Sequence, residues 1–357
     1  MRRRFQTALL VYTAAHLYIW WRLIWPLPSP WWQIATVALP FIAATFPVGM
    51  VRTRRLPMPR QVRQRWLLPG YLWFGFATYL LLGAIASHIA VAFGTEAVRA
   101  AQICSAVSIV VVIAGLLNVA RGPTVKRVRI PMRGLPVEQY TVVHLTDVHI
   151  GSLIGKDFAE QLVERVNALR ADLIVITGDL VDGNLAELRP HIDPLRGLRA
   201  RDGVYSVTGN HEYYWNVEPW MLHLRSLGIE ILRNERRTIA NTLELAGTDD
   251  SSATEDVPRA VAGRDPNLPL VLLAHHPRTV KRAMAAGVDL QLSGHTHGGQ
   301  MLPWGYLARL WDPKVSGLAR FDRTWLYVSQ GTGYWGPPIR IGTSCEIAAI
   351  TLVPEAG

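Results

Sequence analysis

Hydrophobic and polar positions follow two different rhythms along this chain, and the change falls near Ala120. Before it lie four nearly unbroken apolar stretches, about Phe5–Trp25, Trp32–Met50, Tyr71–Phe93 and Arg99–Ala120. Each approaches the ~20 residues that cross a hydrocarbon core, and none carries a charge in its middle. A core helix of a globular domain would be shorter and would show a polar face. The pattern predicts four transmembrane helices. Tryptophan and tyrosine gather at their ends (Trp20, Trp21, Trp25, Trp31, Trp32, Tyr71, Trp73), as interfacial belts do. Arg121 to Gln139 then reads as a linker with Pro/Gly punctuation and one alternating segment, Val125–Ile130, an expected edge strand.

From Tyr140 the rhythm shortens to β-branched runs, each closed by a polar cluster. "YTVVHLTDVHIG" ends in Asp147 and His149, "ADLIVITGDLVDG" in Asp179, and "GVYSVTGNHEYY" in Asn210, His211 and Glu212. "LPLVLLAHHP" ends in His275 and His276, and "VDLQLSGHTHGGQ" in His295 and His297. Helical patterns at Phe158–Arg170 and Pro219–Leu227 separate the early runs. Strand–helix alternation predicts an α/β fold, in which ligands collect beyond the carboxyl ends of the strands. The expected organisation is a four-span transmembrane domain, residues 1–122, followed by an α/β domain, residues 123–357.

Charge sharpens this division. Through Arg129 there are fifteen Lys/Arg and one acid, Glu96, which leaves the remainder at −4 of the whole chain's +10. The basic character therefore belongs to the apolar third. The α/β part has no basic patch with interleaved aromatics, so nucleic acid is not an expected partner. Thirteen cations (before the first stretch, between the second and third, and after the fourth) alternate onto one side, against Arg22 and Arg99 on the other. The positive-inside rule places both the N-terminus and the α/β domain in the cytoplasm, on a multi-pass protein of the inner (plasma) membrane. "RRRF" at Arg2–Phe5 loosely fits a twin-arginine export signal, but three further spans and a six-arginine loop speak against export. His16 and His88 read as neutral histidines packed between helices. Cys104 and Cys345 fall in different parts and support neither a disulfide framework nor a thiolate metal site.

Five strand ends bearing Asp, His or Asn are difficult to explain as solvated turns, which favour Ser, Gly, Asp and Lys without a histidine bias. His144, His191 and His223 lie elsewhere and read as core or surface residues. Oxygen and imidazole donors together suit Mn, Fe or Zn better than Ca or a bare Mg site. Seven candidate ligands exceed the needs of one ion. The economical arrangement is two ions ~3.5–4 Å apart that share a carboxylate. The two histidines of "GHTH" would then serve different ions.

The ordered set "DVHIG", "GDLVDG", "GNHE", "LLAHHP" and "SGHTHGGQ", spread over Tyr140 to Val353, resembles the calcineurin-like metallophosphoesterases, most closely their membrane-linked bacterial branch. The resemblance implies a four-layer αββα sandwich, two sheets face to face with helices outside. It implies that Asp147, His149 and His297 bind one metal, that Asn210, His275 and His295 bind the second, and that Asp179 bridges both. It also implies that His211 is no ligand but contacts the phosphate and protonates the leaving oxygen. His276 falls where relatives often carry an acid. Two cations that activate a bridging hydroxide and clamp phosphoryl oxygens, with an acid at the leaving group, need no serine or cysteine nucleophile. None is evident, and there is no G-x-S-x-G or Walker-type loop.

Trp304, Tyr306, Leu307, Leu310 and Trp311 follow the last histidines and form either a hydrophobic cap or a surface for a lipid tail or the bilayer. Arg309, Lys314 and Arg320 could neutralise phosphate, and Asp182, Asp249 and Asp250 could line the site. The reading is a membrane-anchored, binuclear metal-dependent phosphoesterase acting on a phosphodiester or pyrophosphate, with a lipid or lipid-linked nucleotide sugar as candidate substrates. Alternatives are a tethered protein or nucleotide phosphatase, and a non-catalytic sensor or scaffold, which need not keep the full ligand set and His211.

Overall fold

The structure is a computed structural model that describes residues 2–250 and 254–355. The chain divides into two compact units, Met1–Ala120 with Gly336–Ile341, and Arg121–Trp335 with Gly342–Gly357.

The first unit is helical: α1 (Arg2–Ile19), α2 (Trp31–Arg55), α3 (Arg60–Ala92) and α4 (Ala97–Ala120). Among the described residues three helices, α2 to α4, are long and apolar enough to cross a membrane, against the four expected. The first stretch departs for two physical reasons. Arg2, Arg3 and Arg4 fill the opening turn of α1, and its 18-residue α-helix gives way to a π-turn at Trp20–Ile24. The helices approach closely at glycines: a Cβ on Gly70 would lie 2.8 Å from the Cα of Phe46, and one on Gly83 would lie 2.6 Å from Ser108 Oγ. His16 is satisfied on both ring nitrogens, by the Tyr12 carbonyl at 2.7 Å and the Trp73 indole N–H at 3.0 Å. His88 is exposed and bonds the Tyr18 hydroxyl. The segment 336–341 joins this unit through Ile339, against Gly75 and Gly115, and through the Arg340 carbonyl, which accepts from Asn118 at 3.0 Å.

The second unit holds the strands β1 (Thr124–Met132), β2 (Tyr140–Leu145), β3 (Ile150–Gly151), β4 (Leu173–Thr177), β5 (Val181–Asp182), β6 (Val204–Val207) and β7 (Glu230–Ile231). They are followed by β8 (Glu235–Ile239), β9 (Leu243–Gly247), β10 (Leu270–Leu273), β11 (Leu290–Ser293), β12 (Gly317–Phe321), β13 (Thr324–Val328) and β14 (Glu346–Pro354). One six-stranded sheet runs β1-β14-β2-β4-β6-β7, a second runs β12-β13-β11-β10-β9-β8, and β3 pairs with β5. β1 is indeed an edge strand, held parallel to β14.

Side-chain alternation makes the layers. In β4, Leu173 and Val175 enter the core between the sheets, while Ile174 and Ile176 face the other way. The latter pack on α5 (Lys156–Asn167), α6 (Leu185–Ile192) and α8 (Val217–Ser226) through Leu162, Val166, Leu188, Trp220 and Leu224. A five-residue helix, α7 (Asn210–Tyr214), precedes α8. In β10, Val271 and Leu273 point inward, while Leu270 and Leu272 meet α9 (Val257–Val261) and α10 (Val280–Ala285) on the far face. Strands buried on both faces must be apolar at every position, which explains the runs "LIVIT" and "LVLL". The result is the expected four-layer α/β sandwich, helix–sheet–sheet–helix. A last short helix, α11 (Trp304–Ala308), follows the second histidine cluster.

Candidate metal centre

β2, β4 and β6 are adjacent and parallel in the first sheet, and β10 and β11 are adjacent and parallel in the second. Their carboxyl ends therefore lie side by side, and every expected ligand sits just beyond one of them. Asp147 and His149 follow β2, Asp179 follows β4, Asn210 and His211 open α7 after β6, His275 follows β10, and His295 and His297 follow β11. The two early loops are laced by the bonds Asp147 N–H to Gly178 O and His149 N–H to Asp179 O, both 3.1 Å.

The backbone at these ends is bent sharply. Asp147, His149, Asp179, His295 and His297 all take positive φ, between 51 and 68°. Side chains disfavour this region, and the surrounding bonds must hold it. Five residues of one expected ligand set share it, so the turns aim side chains that a continuing strand would splay apart.

Two clusters of donors result. His149 Nε2 lies 3.1 Å from His297 Nε2, and His297 Nε2 lies 3.4 Å from Asp147 Oδ1. In the other cluster Asn210 Oδ1 is 3.1 Å from both His275 Nε2 and His295 Nδ1. Asp179 stands between them, its Oδ2 3.9 Å from His149 Nε2 and 3.3 Å from His275 Nε2. The triads Asp147/His149/His297, His149/Asp179/His211 and Asp179/His275/His295 each bring their ligand atoms within 4.8 Å of one another and could hold a metal ion.

The donor chemistry fits a cation. Asp147 and Asp179 are buried, and the ion partners they have are all histidines. Burial, helped by neighbouring imidazoles, lowers His149 to about 4 and His295 to about 2, so both offer neutral lone pairs at neutral pH. Burial works against charging His275, yet the Asp179 carboxylate outweighs it and raises His275 well above the usual range. Burial also opposes ionisation of Asp179, but His275 and then His149 and His211 hold its carboxyl well below the ordinary value. Metal binding here would displace a proton.

His211 lies beside this array. Its Nδ1 is 3.1 Å from Asp182 Oδ1, and its Nε2 is 3.9 Å from Asp179 Oδ2. Trp215 donates to the same Asp182 oxygen at 3.0 Å, while Tyr214 and Trp335 rings flank the imidazole at 5.2 and 5.9 Å. Desolvation would lower His211, but the bond to Asp182 and the charges of Asp179, Asp182 and Glu212 together raise it. His276 turns its Nε2 to Asp250 Oδ1 at 3.2 Å, while its ring packs on that of His295 at 3.9 Å between centres. Asp249 does not line the centre: it is tied to Arg233 and Thr208. His144 is fully buried against Thr177 Oγ1, and His223 pairs with Asp193.

Glu212 is not among the expected site residues. It is almost wholly buried, and its carboxylate accepts from the backbone N–H groups of Gly209, Asp179 and Leu180 at 2.7, 3.0 and 2.8 Å. The signal was present in "GNHE": an acid three residues after the residue preceding a helix is half of a capping box. Here the cap also grips the neighbouring Asp179 loop. Of the expected phosphate-neutralising cations, Arg309 and Lys314 line a cavity of about 520 Å³ with Gly298 and Tyr306, whereas Arg320 bonds Glu355 instead.

The model of the calcineurin-like phosphoesterase family matches residues 140–299. A bovine (Bos taurus) "transmembrane protein with metallophosphoesterase domain" is 39% identical over 269 residues, 69% of this chain and 61% of that protein. An uncharacterized metallophosphoesterase of Helicobacter pylori is 38% identical over 226 residues, 61% of each chain. Another, from Aquifex aeolicus, is 32% identical over 240 residues, 61% of this chain and 92% of its own length. The chain thus spans 61% of the length of the bovine and Helicobacter relatives.

Proposed function

The chain belongs to the calcineurin-like phosphoesterase family, and we propose on that premise that it is a phosphoester hydrolase, membrane-anchored and with a binuclear metal centre. Residues 1–122 serve as the anchor and residues 123–357 carry the chemistry. Asp147, His149 and His297 hold one ion, Asn210, His275 and His295 hold the other, and Asp179 is shared. The observation that carries this reading is the position of Asp179 Oδ2 within 3.9 Å of His149 in one donor cluster and 3.3 Å of His275 in the other. Two bound transition ions, Mn, Fe or Zn by donor type, would lower the pKa of a water between them and neutralise phosphoryl oxygens.

The chain's own residues do the rest. Asp182 fixes the His211 ring and favours its protonated form, so that Nε2 can give a proton to a leaving alkoxide. Glu212 locks the turn that bears Asn210 and His211 onto the loop that bears Asp179. Tyr214 and Trp335 flank the imidazole.

The substrate is a phosphodiester or pyrophosphate carried by a lipid or lipid-linked nucleotide sugar. Support comes from the segment directly after His297. Trp304, Tyr306, Leu307, Leu310 and Trp311 are 42, 60, 48, 72 and 73% exposed, and Arg309 and Lys314 line the cavity beside them. An apolar, aromatic surface beside cations suits an amphiphile with a charged head. The charge asymmetry of the first unit supports a cytoplasmic catalytic domain on the inner membrane.

The test is elemental analysis of purified full-length protein with a hydrolysis panel of lipid and nucleotide phosphoesters. Two transition ions per chain are expected, falling by about one or two equivalents in Asp179→Ala, with hydrolysis of the lipid esters preferred. Wild-type protein holding one ion or none would overturn the binuclear reading. Equal rates on water-soluble nucleotides would overturn the lipid preference.

A further inference from the structure

The helical unit contains a second place where charge has been buried. Arg22 lies in the π-turn Trp20–Ile24 and is 9% exposed. It neighbours the cluster of Ile19, Leu23, Ala77, Ala84 and Ala101. Its guanidinium Nη2 donates to the Ser87 carbonyl of α3 at 3.2 Å, and the Trp21 ring lies 5.1 Å from its centre. Its Nε is buried with no hydrogen-bond partner, and so is the hydroxyl of Ser87, a fully buried residue.

A guanidinium cannot shed its charge in a protein, and a buried charge without a counter-ion costs several kcal/mol. The unit cannot provide one. The sequence of residues 1–120 has a single acid, Glu96, and it is exposed. No carboxylate contacts Arg22 among the described residues. A π-turn widens the helix and rotates the residues that follow, which aims Arg22 between helices where a regular α-turn would set it elsewhere. A buried cation without a counter-ion, packed against a helix able to cross a membrane, is a candidate functional site.

The surroundings identify the anion. Trp21 and Trp25 are 47 and 53% exposed, and Trp25 packs against Trp20 and Trp32 at 5.4 and 5.1 Å between ring centres. A tryptophan shelf of this kind sits at the depth of lipid headgroups, where phosphate diesters are the abundant anion. We propose that Arg22 and Ser87 form a phosphate-binding subsite in the helical unit that takes the headgroup phosphate of a phospholipid. Arg22 supplies the fixed positive fork through Nε, Ser87 adds a hydroxyl donor, and the tryptophans border the acyl–headgroup boundary. This site is independent of the metal-centre reading.

The experiment is native mass spectrometry of the full chain in detergent, treated with chelator so that the metal centre does not take up phosphate. Dioleoylphosphatidylglycerol is titrated, with dioleoylglycerol, which lacks the phosphate, in a parallel arm and inorganic phosphate as competitor. Wild-type protein is expected to retain one phosphatidylglycerol that dioleoylglycerol does not displace and phosphate does. Arg22→Gln should weaken retention by about tenfold or more, with Ser87→Ala intermediate. Hydrolysis of a soluble nitrophenyl phosphodiester by the metal-loaded variants should match wild type, which shows that they are folded. If Arg22→Gln does not fold, Arg22→Lys and Ser87→Ala carry the comparison. Unchanged lipid retention in the folded variants overturns the proposal. So does Arg22-dependent binding of inorganic phosphate without any of the lipid, since the subsite would then serve a free anion.

Discussion

His295 donates its backbone N–H to the Asp147 carboxylate, 3.0 Å from Oδ2, across 148 residues of sequence. Asp147 ends a strand of the first sheet and His295 ends a strand of the second, so this bond ties the two sheets where the donors converge. Thr146 Oγ1 donates to the same oxygen at 2.8 Å. Gly294, just before His295, permits the approach: a Cβ there would collide with both Thr146 Oγ1 and Asp147 Oδ2.

Gly294→Ala should therefore displace Asp147 without removing any ligand. The expected result is loss of about one metal equivalent, as in Asp147→Asn, read by elemental analysis. Full metal content in Gly294→Ala would show that Asp147 is not held by this contact.

His211→Ala should keep both metals yet lose turnover by ~10²–10⁴-fold, the usual worth of a general acid. The loss should shrink for a nitrophenolate leaving group, which needs little protonation. His297→Ala should lose metal and activity together, whatever the leaving group. Metal loss in His211→Ala would instead make it a ligand, as its place beside His149 and Asp179 allows.

The pH profile should report the Asp182 contact. Burial pulls the His211 pKa down, but the hydrogen bond to Asp182 together with the charges of Asp179, Asp182 and Glu212 raises it overall. A general acid works only below its pKa, so the raised value extends activity toward alkaline pH. Asp182→Asn removes the raising charge, and the alkaline limb of kcat/KM should move to lower pH. A limb that stays in place would separate Asp182 from the acid.

Glu212→Ala should be among the most destabilising single changes in the second unit. It would strand the buried N–H groups of Gly209, Asp179 and Leu180. At ~1–3 kcal/mol for each unsatisfied donor, the loss should reach at least about 3 kcal/mol. Glu212→Gln, which keeps one acceptor oxygen, should fall between. Denaturant midpoints of the metal-loaded proteins measure both. An alanine variant as stable as wild type would mean that water replaces the carboxylate.

Topology follows from the ten cations between the second and third stretches and after the fourth, against Arg99 alone between the third and fourth. Reporter fusions after Pro123 and within residues 26–30 should give opposite signals, the first cytoplasmic. An exported signal after Pro123 would reverse the orientation and place the catalytic domain outside.

Much of this was legible in one dimension because it depends on local rules. An apolar stretch as long as Tyr71–Phe93 predicts a membrane helix by length, and the unbroken apolar run "LIVI" predicts a strand buried on both faces. The departure at the first stretch was local too: Arg2, Arg3 and Arg4 were in plain view, but the π-turn at Trp20–Ile24 reflects packing against α3 that no periodicity encodes.

Residue types and their positions at strand ends were determined by the sequence: acids, asparagine and histidines stand where parallel strands stop, and that places candidate ligands on one edge of the fold. Only the tertiary structure decided how they divide. Which imidazole faces which carboxylate depends on left-handed turns at Asp147, His149, Asp179, His295 and His297, and a turn of that kind costs energy that distant contacts must supply. The partners are equally non-local: Glu212 grips the loop of Asp179 and His295 grips Asp147, across 33 and 148 residues. His275 and His276 are neighbours of one chemical type and both pack against His295, yet one meets Asp179 and the other Asp250, because Asp179 comes from the end of β4 in the facing sheet and Asp250 from the loop after β9, the strand beside β10.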